Sequence, residues 1–117
     1  MPNYSESESQ GLREKFEAIV LRWPDVEKKM LFGSPSYTTR GTSFAMLVTG
    51  GFILTQLDED RKAALLARPE ADYFVGHGRV MKRWVVVSIQ DPAEIGRFVP
   101  FIEASYTAAA PGKPGKG

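Results

Sequence analysis

Glycine divides the middle of the chain into short apolar runs that cannot continue in one direction. From Lys29 to Leu57, β-branched and aromatic residues alternate with small polar ones, and Gly33, Arg40-Gly41 and Gly50-Gly51 interrupt them. Such runs read as strands, and such interruptions read as hairpin turns. The spacing predicts strands at Lys29–Phe32, Ser36–Thr39, Thr42–Thr49 and Phe52–Leu57, with Gly33-Ser34-Pro35 closing the first hairpin. A two-residue Gly-Gly link suits a type I′ turn, which needs positive φ at both central positions. Simple alternation puts Phe44, Met46 and Val48 on one face and Ala45, Leu47 and Thr49 on the other. A one-residue slip would exchange those faces, so the turn positions fix the register.

Helical patterns flank this block. Ser5 and Glu8 have capping-box spacing, and Leu12, Phe16, Ile19, Val20 and Trp23 recur along one helical stripe. Trp23-Pro24 is expected to end that helix, with one further short turn through Lys28. Asp58 is placed to cap a second helix, Glu59–Ala67, that buries Ala64, Leu65 and Ala67. Ala71–Val75 reads as extended and Gly76-His77-Gly78 as a loop. Arg79–Arg83 leads into a strand at Trp84–Ile89. Asp91-Pro92-Ala93-Glu94 is a helix start, with Ile95, Phe98, Val99, Ile102 and Tyr106 as the apolar stripe. Pro100 falls inside that stripe and predicts a kink or break near Arg97–Pro100. Residues 111–117 read as a disordered basic tail behind a single domain of residues 1–110. Hairpin-linked strands roofed by helices on one face make an α+β, two-layer sandwich built on an antiparallel meander.

The 117 residues suit one domain. Fifteen basic and fourteen acidic side chains give a net charge of +1, which argues against a whole-surface polycation gripping nucleic acid. With no cysteine there is no disulfide, thiolate metal site or Cys nucleophile. The opening MPNYSESESQ is acidic and polar, unlike a secretory leader, and no apolar run approaches the ~20 residues of a membrane span. A cytoplasmic location is the expectation.

Met30-Leu31-Phe32-Gly33, Tyr37, Gly41, Phe44-Ala45 and Gly51-Phe52-Ile53-Leu54 follow one another in a recognisable order. A capped helix, Pro69, the Phe74/Gly78/Met81-Lys82 segment and a strand at Trp84–Val87 come next. This order resembles the N-terminal domain of the TfoX/Sxy family, named for bacterial competence regulators, over nearly the whole chain. The resemblance implies a two-layer domain with an antiparallel sheet, similar to secretion-chaperone folds. Full-length regulators carry a second, helical domain, which a chain of 117 residues is expected to lack. The family brings no established catalytic residues.

Two functional readings follow. In the first, the domain is non-enzymatic and packs its uncovered sheet face or an edge strand against a protein partner or a second copy of itself. Tyr37, Phe52 and Tyr73 are the candidate contact rings. In the second, Arg40, His77, Arg79, Lys82 and Arg83, helped by Lys113 and Lys116, bind an anion or nucleic acid, with aromatic rings as a stacking platform. His77 is the only histidine, so no metal-ligand spacing exists; a Mg²⁺ site at Asp58, Glu59 and Asp60 competes with their role at a helix start. Gly50-Gly51 lacks phosphate-loop spacing, and Ser34 and Ser36 lack a base. Trp23 and Trp84 read as core anchors. No cofactor and no catalytic set are expected.

Overall fold

The structure, a computed structural model, describes residues 4–31, 33–76 and 78–109. The expected strand end at Phe32, His77 and the basic tail lie outside the described residues. The order is α1 (Glu6–Val20), β1 (Val26–Leu31), β2 (Ser34–Thr39), β3 (Thr42–Val48), β4 (Gly51–Leu54), α2 (Glu59–Leu66), β5 (Ala71–Gly76), β6 (Arg79–Ser88), a 3-10 segment (Pro92–Phe98) and α3 (Val99–Ala109). Six strands form one sheet in the order β1-β2-β3-β4-β6-β5, and every neighbouring pair is antiparallel. The first four strands are the expected meander. The chain then crosses through α2 to the far edge, and β6 returns to fill the gap between β4 and β5.

One apolar cluster joins the layers. Leu12, Phe16 and Val20 of α1, Leu65 of α2, Ile95 and Phe98 of the 3-10 segment and Ile102 of α3 meet Tyr37, Leu47, Phe52, Leu54, Val85 and Val87 of the sheet. All helical elements therefore bury their stripes against the same sheet face, which makes a two-layer α+β sandwich. Among the described residues no helix is long and apolar enough to cross a membrane.

Several local expectations are corrected. Helix α1 ends at Val20, and Val26–Lys28 already belongs to β1, so no further helical turn follows Pro24. Asp25 takes a positive φ of 64° and turns the chain directly into the strand. Ser5 is the residue before α1, yet its hydroxyl caps nothing; it lies 3.2 Å from Ser7 Oγ, while Ser5 N donates to Thr49 Oγ1. Ser34 and Pro35 are inside β2. In α2, Asp58 caps Arg61 N as expected, but the buried residues are Lys62 and Leu65; Ala64 and Ala67 are exposed.

The β3–β4 turn is centred one residue earlier than Gly50-Gly51. Val48 pairs with Gly51, which leaves Thr49 and Gly50 as the two-residue link, and only Gly50 is left-handed, at φ 76°. The hairpin with positive φ at both central residues is Arg40-Gly41, at 53° and 86°. Gly51 answers a different demand: a Cβ there would sit 2.1 Å from the Val87 carbonyl oxygen of β6.

A bulge changes the faces of β3. Tyr37 pairs with Ala45 but Thr38 with Ser43, so Phe44 is an extra residue. It turns to the helix side with Ala45 and Leu47, 5.4 Å from the Tyr106 ring and 6.4 Å from Trp23, instead of joining Met46 and Val48. Pro100 sits in the first turn of α3, where its missing N–H has no intrahelical partner to lose. The expected break is the junction between the 3-10 segment and α3.

Candidate functional site

Strand β6 is longer than its neighbour. Val85–Ser88 pair with β4, whereas Arg79–Trp84 continue past the end of β4 with only β5 beside them. At about 3.3 Å per residue, this part of β6 runs on for about 15–20 Å. Sheet edge and ribbon coincide here, because β5 is the last strand.

The root of the ribbon holds the second bulge. Tyr73 pairs with Val85, but the next residue, Phe74, pairs with Met81, so Lys82, Arg83 and Trp84 have no opposite residue on β5. The Lys82 carbonyl leaves the ladder, and the Lys62 ammonium of α2 donates to it at 2.9 Å. Lys62 also reaches Glu59 Oε2 at 3.0 Å, and its side chain is only 10% exposed. A charged residue is buried on α2 because it anchors this bulge to the helix layer. Trp84, expected in the core, is half-buried within the bulge and lies against Phe74 at 5.7 Å between ring centroids.

The ribbon is apolar and basic at once. Val75 and Val80 face each other across it and are 59% and 54% exposed, and Met81, opposite Phe74, is exposed on the other face. Among the described residues the other exposed large hydrophobics are Leu21 and the Met30–Leu31 pair on the opposite hairpin. Arg79, Lys82 and Arg83 are exposed and form no ion pair among the described residues. Arg40 does not join them: it forms an ion pair with Asp25 at 3.4 Å in the β2–β3 turn.

The expected contact rings separate. Tyr37 and Phe52 are fully buried and pack on Phe16 of α1, at 5.1 and 5.6 Å, so neither can present a surface to a partner. Tyr73 remains half-exposed on β5. On the helix-free face, Ile53 and its neighbour Met46 are buried, so the exposed apolar side chains lie at the two ends of the sheet, on the ribbon and at Met30–Leu31, and not at its centre.

Glu17 was not singled out in the sequence. Its carboxylate accepts from Tyr37 Oη at 2.7 Å, Lys28 Nζ at 2.7 Å and Arg13 at 2.9 Å. Burial raises its pKa, but the hydrogen bonds from Lys28 and Tyr37 and the adjoining cations outweigh that and hold the carboxyl below the usual glutamate range. Burial, then the bond to Glu17, pushes the Tyr37 hydroxyl well above its ordinary value. Helical spacing marks Glu17 only as polar; its partners come from β1 and β2, which no local pattern announces. Every group in the network is paired, which suits a structural tie between α1 and the sheet.

A cleft of about 510 Å³ between β5, β6 and the 3-10 segment is lined by Glu70, Asp72, Ser88 and Glu94 among others. Arg97 holds Glu70 at 3.2 Å and Glu94 at 3.5 Å, so two of the three carboxylates are already neutralised. Among the described residues no three acidic, histidine or cysteine groups are placed to hold a metal ion. No protein-family model matches the chain, and no curated protein does.

Proposed function

We propose that this domain acts through protein–protein contact and that the β5–β6 ribbon is its contact surface. The observation that carries this is the exposure of apolar side chains on both faces of the free ribbon, Val75 and Val80 on one and Met81 on the other. Exposed apolar clusters of this kind mark interaction sites. Aromatic residues, Met and Arg are the types enriched in interfaces, and the ribbon carries Tyr73, Phe74, Trp84, Met81, Arg79 and Arg83. A regulatory role is supported only by the resemblance to the TfoX/Sxy domain, as analogy.

A photo-crosslinking residue at Val80, with Glu14 on the exposed side of α1 as control, tests this in cells that make the chain natively. Adducts are expected at Val80 alone and are lost when Val75→Asp is added. Equal adducts at both positions, or none at Val80, would reject the ribbon as the surface.

One observation favours a second reading. Arg79, Lys82 and Arg83 lack ionic partners among the described residues and share the ribbon with Phe74 and Trp84, a combination suited to single-stranded nucleic acid. Three phosphate contacts to a single strand would give a slope of about −2 for log affinity against log salt concentration. A flat salt dependence or no low-salt binding would exclude it.

A further inference from the structure

The outer edge of β5 is built to pair with a copy of itself, and we infer that two chains join β5 to β5 across a two-fold axis centred on Phe74. This rests on the ribbon being a contact surface and names the partner. The first ground is the state of the edge. Tyr73 N–H donates to Asp72 Oδ1 at 2.7 Å, not to β6, so it points outward. Outward groups alternate along a strand, which makes Tyr73 and Val75 the residues whose backbone is offered to a new neighbour. The opposite edge is guarded: Glu27, Lys28 and Lys29 fill half of β1, whereas β5 carries Asp72 as its single charge.

The second ground is register. Opposed residues of an antiparallel pair share a face, and faces alternate along β5. A symmetric pair must therefore centre on a residue and not between two. Centred on Phe74, Tyr73 lies opposite Val75 of the second copy, and the same pair repeats on the other side of the axis. Both residues are on the helix-bearing face, where Val80 adjoins Val75. On the other face Phe74 stands opposite Phe74 of the second copy at the axis, each ring resting against Trp84 and over Gly76 of its own chain. Centred on Tyr73 instead, Val75 would face only Ala71.

The third ground is charge. In the Phe74-centred register Asp72 lies opposite Gly76 of the second copy, and Gly76 pairs in turn with Arg79. Arg79 has no ionic partner within its own chain among the described residues; the Phe74 ring lies over Gly76, 2.8 Å from where a Cβ would stand, so the long arginine side chain reaches Asp72 around that ring. Strand pairing supplies Tyr73 N–H with the carbonyl of Val75 from the second copy, which frees the Asp72 carboxylate for that arginine. In the single chain Asp72 covers an unpaired donor; in the pair it becomes half of a salt bridge made twice.

Because the chain contains no cysteine, single cysteines report the geometry cleanly. Opposed residues at a non-hydrogen-bonded site have Cα atoms about 4.5 Å apart, within disulfide range. Mild oxidation of Phe74→Cys is expected to give a covalent dimer, and Met30→Cys on the opposite hairpin is expected to give none. Sedimentation equilibrium of the unaltered chain should approach twice the 13.0 kDa chain mass as the concentration rises to about 100 μM. Asp72→Arg and Arg79→Asp should each weaken association about tenfold, and the double exchange should recover most of it. A chain that stays monomeric to about 100 μM while Phe74→Cys fails to cross-link would overturn the self-pairing, since even weak interfaces associate in that range. If Val80 adducts to a different protein then appear, the ribbon remains the contact surface and only the identity of the partner is wrong. Failure of the double exchange to recover association would overturn the Phe74-centred register.

Discussion

Glu17 shows how one side chain ties two layers together and how that tie depends on pH. Its folded pKa lies below the ordinary value of 4.5, so the unfolded chain takes up the proton first as pH falls. The stabilisation is complete above about 4.5 and is lost as pH drops through the lower folded value. Thermal unfolding followed by circular dichroism should show this fall, and Glu17→Gln should flatten it. At pH 7 the same substitution should cost about 2 kcal/mol, because Tyr37 and Lys28 lose a charged acceptor in a largely buried place. The adjacent glycines offer a second contrast. Gly50→Ala meets open space and carries only the left-handed penalty, about 1–2 kcal/mol. Gly51→Ala drives a methyl into the Val87 carbonyl and should cost more, about 3 kcal/mol or beyond, in urea unfolding. Sequence marked both glycines as one turn. The strand pressed against Gly51 comes from more than thirty residues away, which is why its separate role could not be read locally.

At the scale of elements, local rules located nearly every strand and helix, and failures collect where a bulge or a distant strand intervenes. Asp58 and Asp91 cap as their positions suggest, at 2.8 and 3.0 Å, because capping involves only neighbours along the chain. Period-two counting failed at Phe44, since a bulge adds a residue without a local signature. Ser105 supports that bulge: its buried hydroxyl donates to the Phe44 carbonyl at 2.7 Å and accepts from Gln56 N at 3.1 Å. Ser105→Ala leaves Gln56 N without this acceptor and should lower stability by about 1–3 kcal/mol, read from the urea midpoint. The second bulge depends on Lys62. Lys62→Met keeps the apolar stem but strands the Lys82 carbonyl, and amide exchange should speed up in residues 79–84 before the rest of β6.

On the scale of the whole molecule, the two-layer plan was legible because glycine spacing and amphipathic stripes both point to one covered face. The candidate site was legible only in part. Arg79, Lys82, Arg83 and Tyr73 do lie on one ribbon, but Tyr37, Phe52 and Arg40 belong elsewhere. Exposure of a ring depends on which helix lies above it, and linear pattern does not carry that. Val75 and Val80 were missed for the converse reason: β-branched residues in a strand look like core until the sheet is seen to end beside them. On the proposed reading, the covered face holds the domain's stability and the free β5 edge is the surface left for association. Concentration-dependent hydrogen exchange tests this most directly. Amides of Tyr73 and Val75 should become protected as the chain is taken from about 1 to 100 μM, a range that spans weak association, while β1 stays unchanged. Constant, rapid exchange at those two amides at every concentration, with no partner slowing it, would contradict the role assigned to the β5 edge.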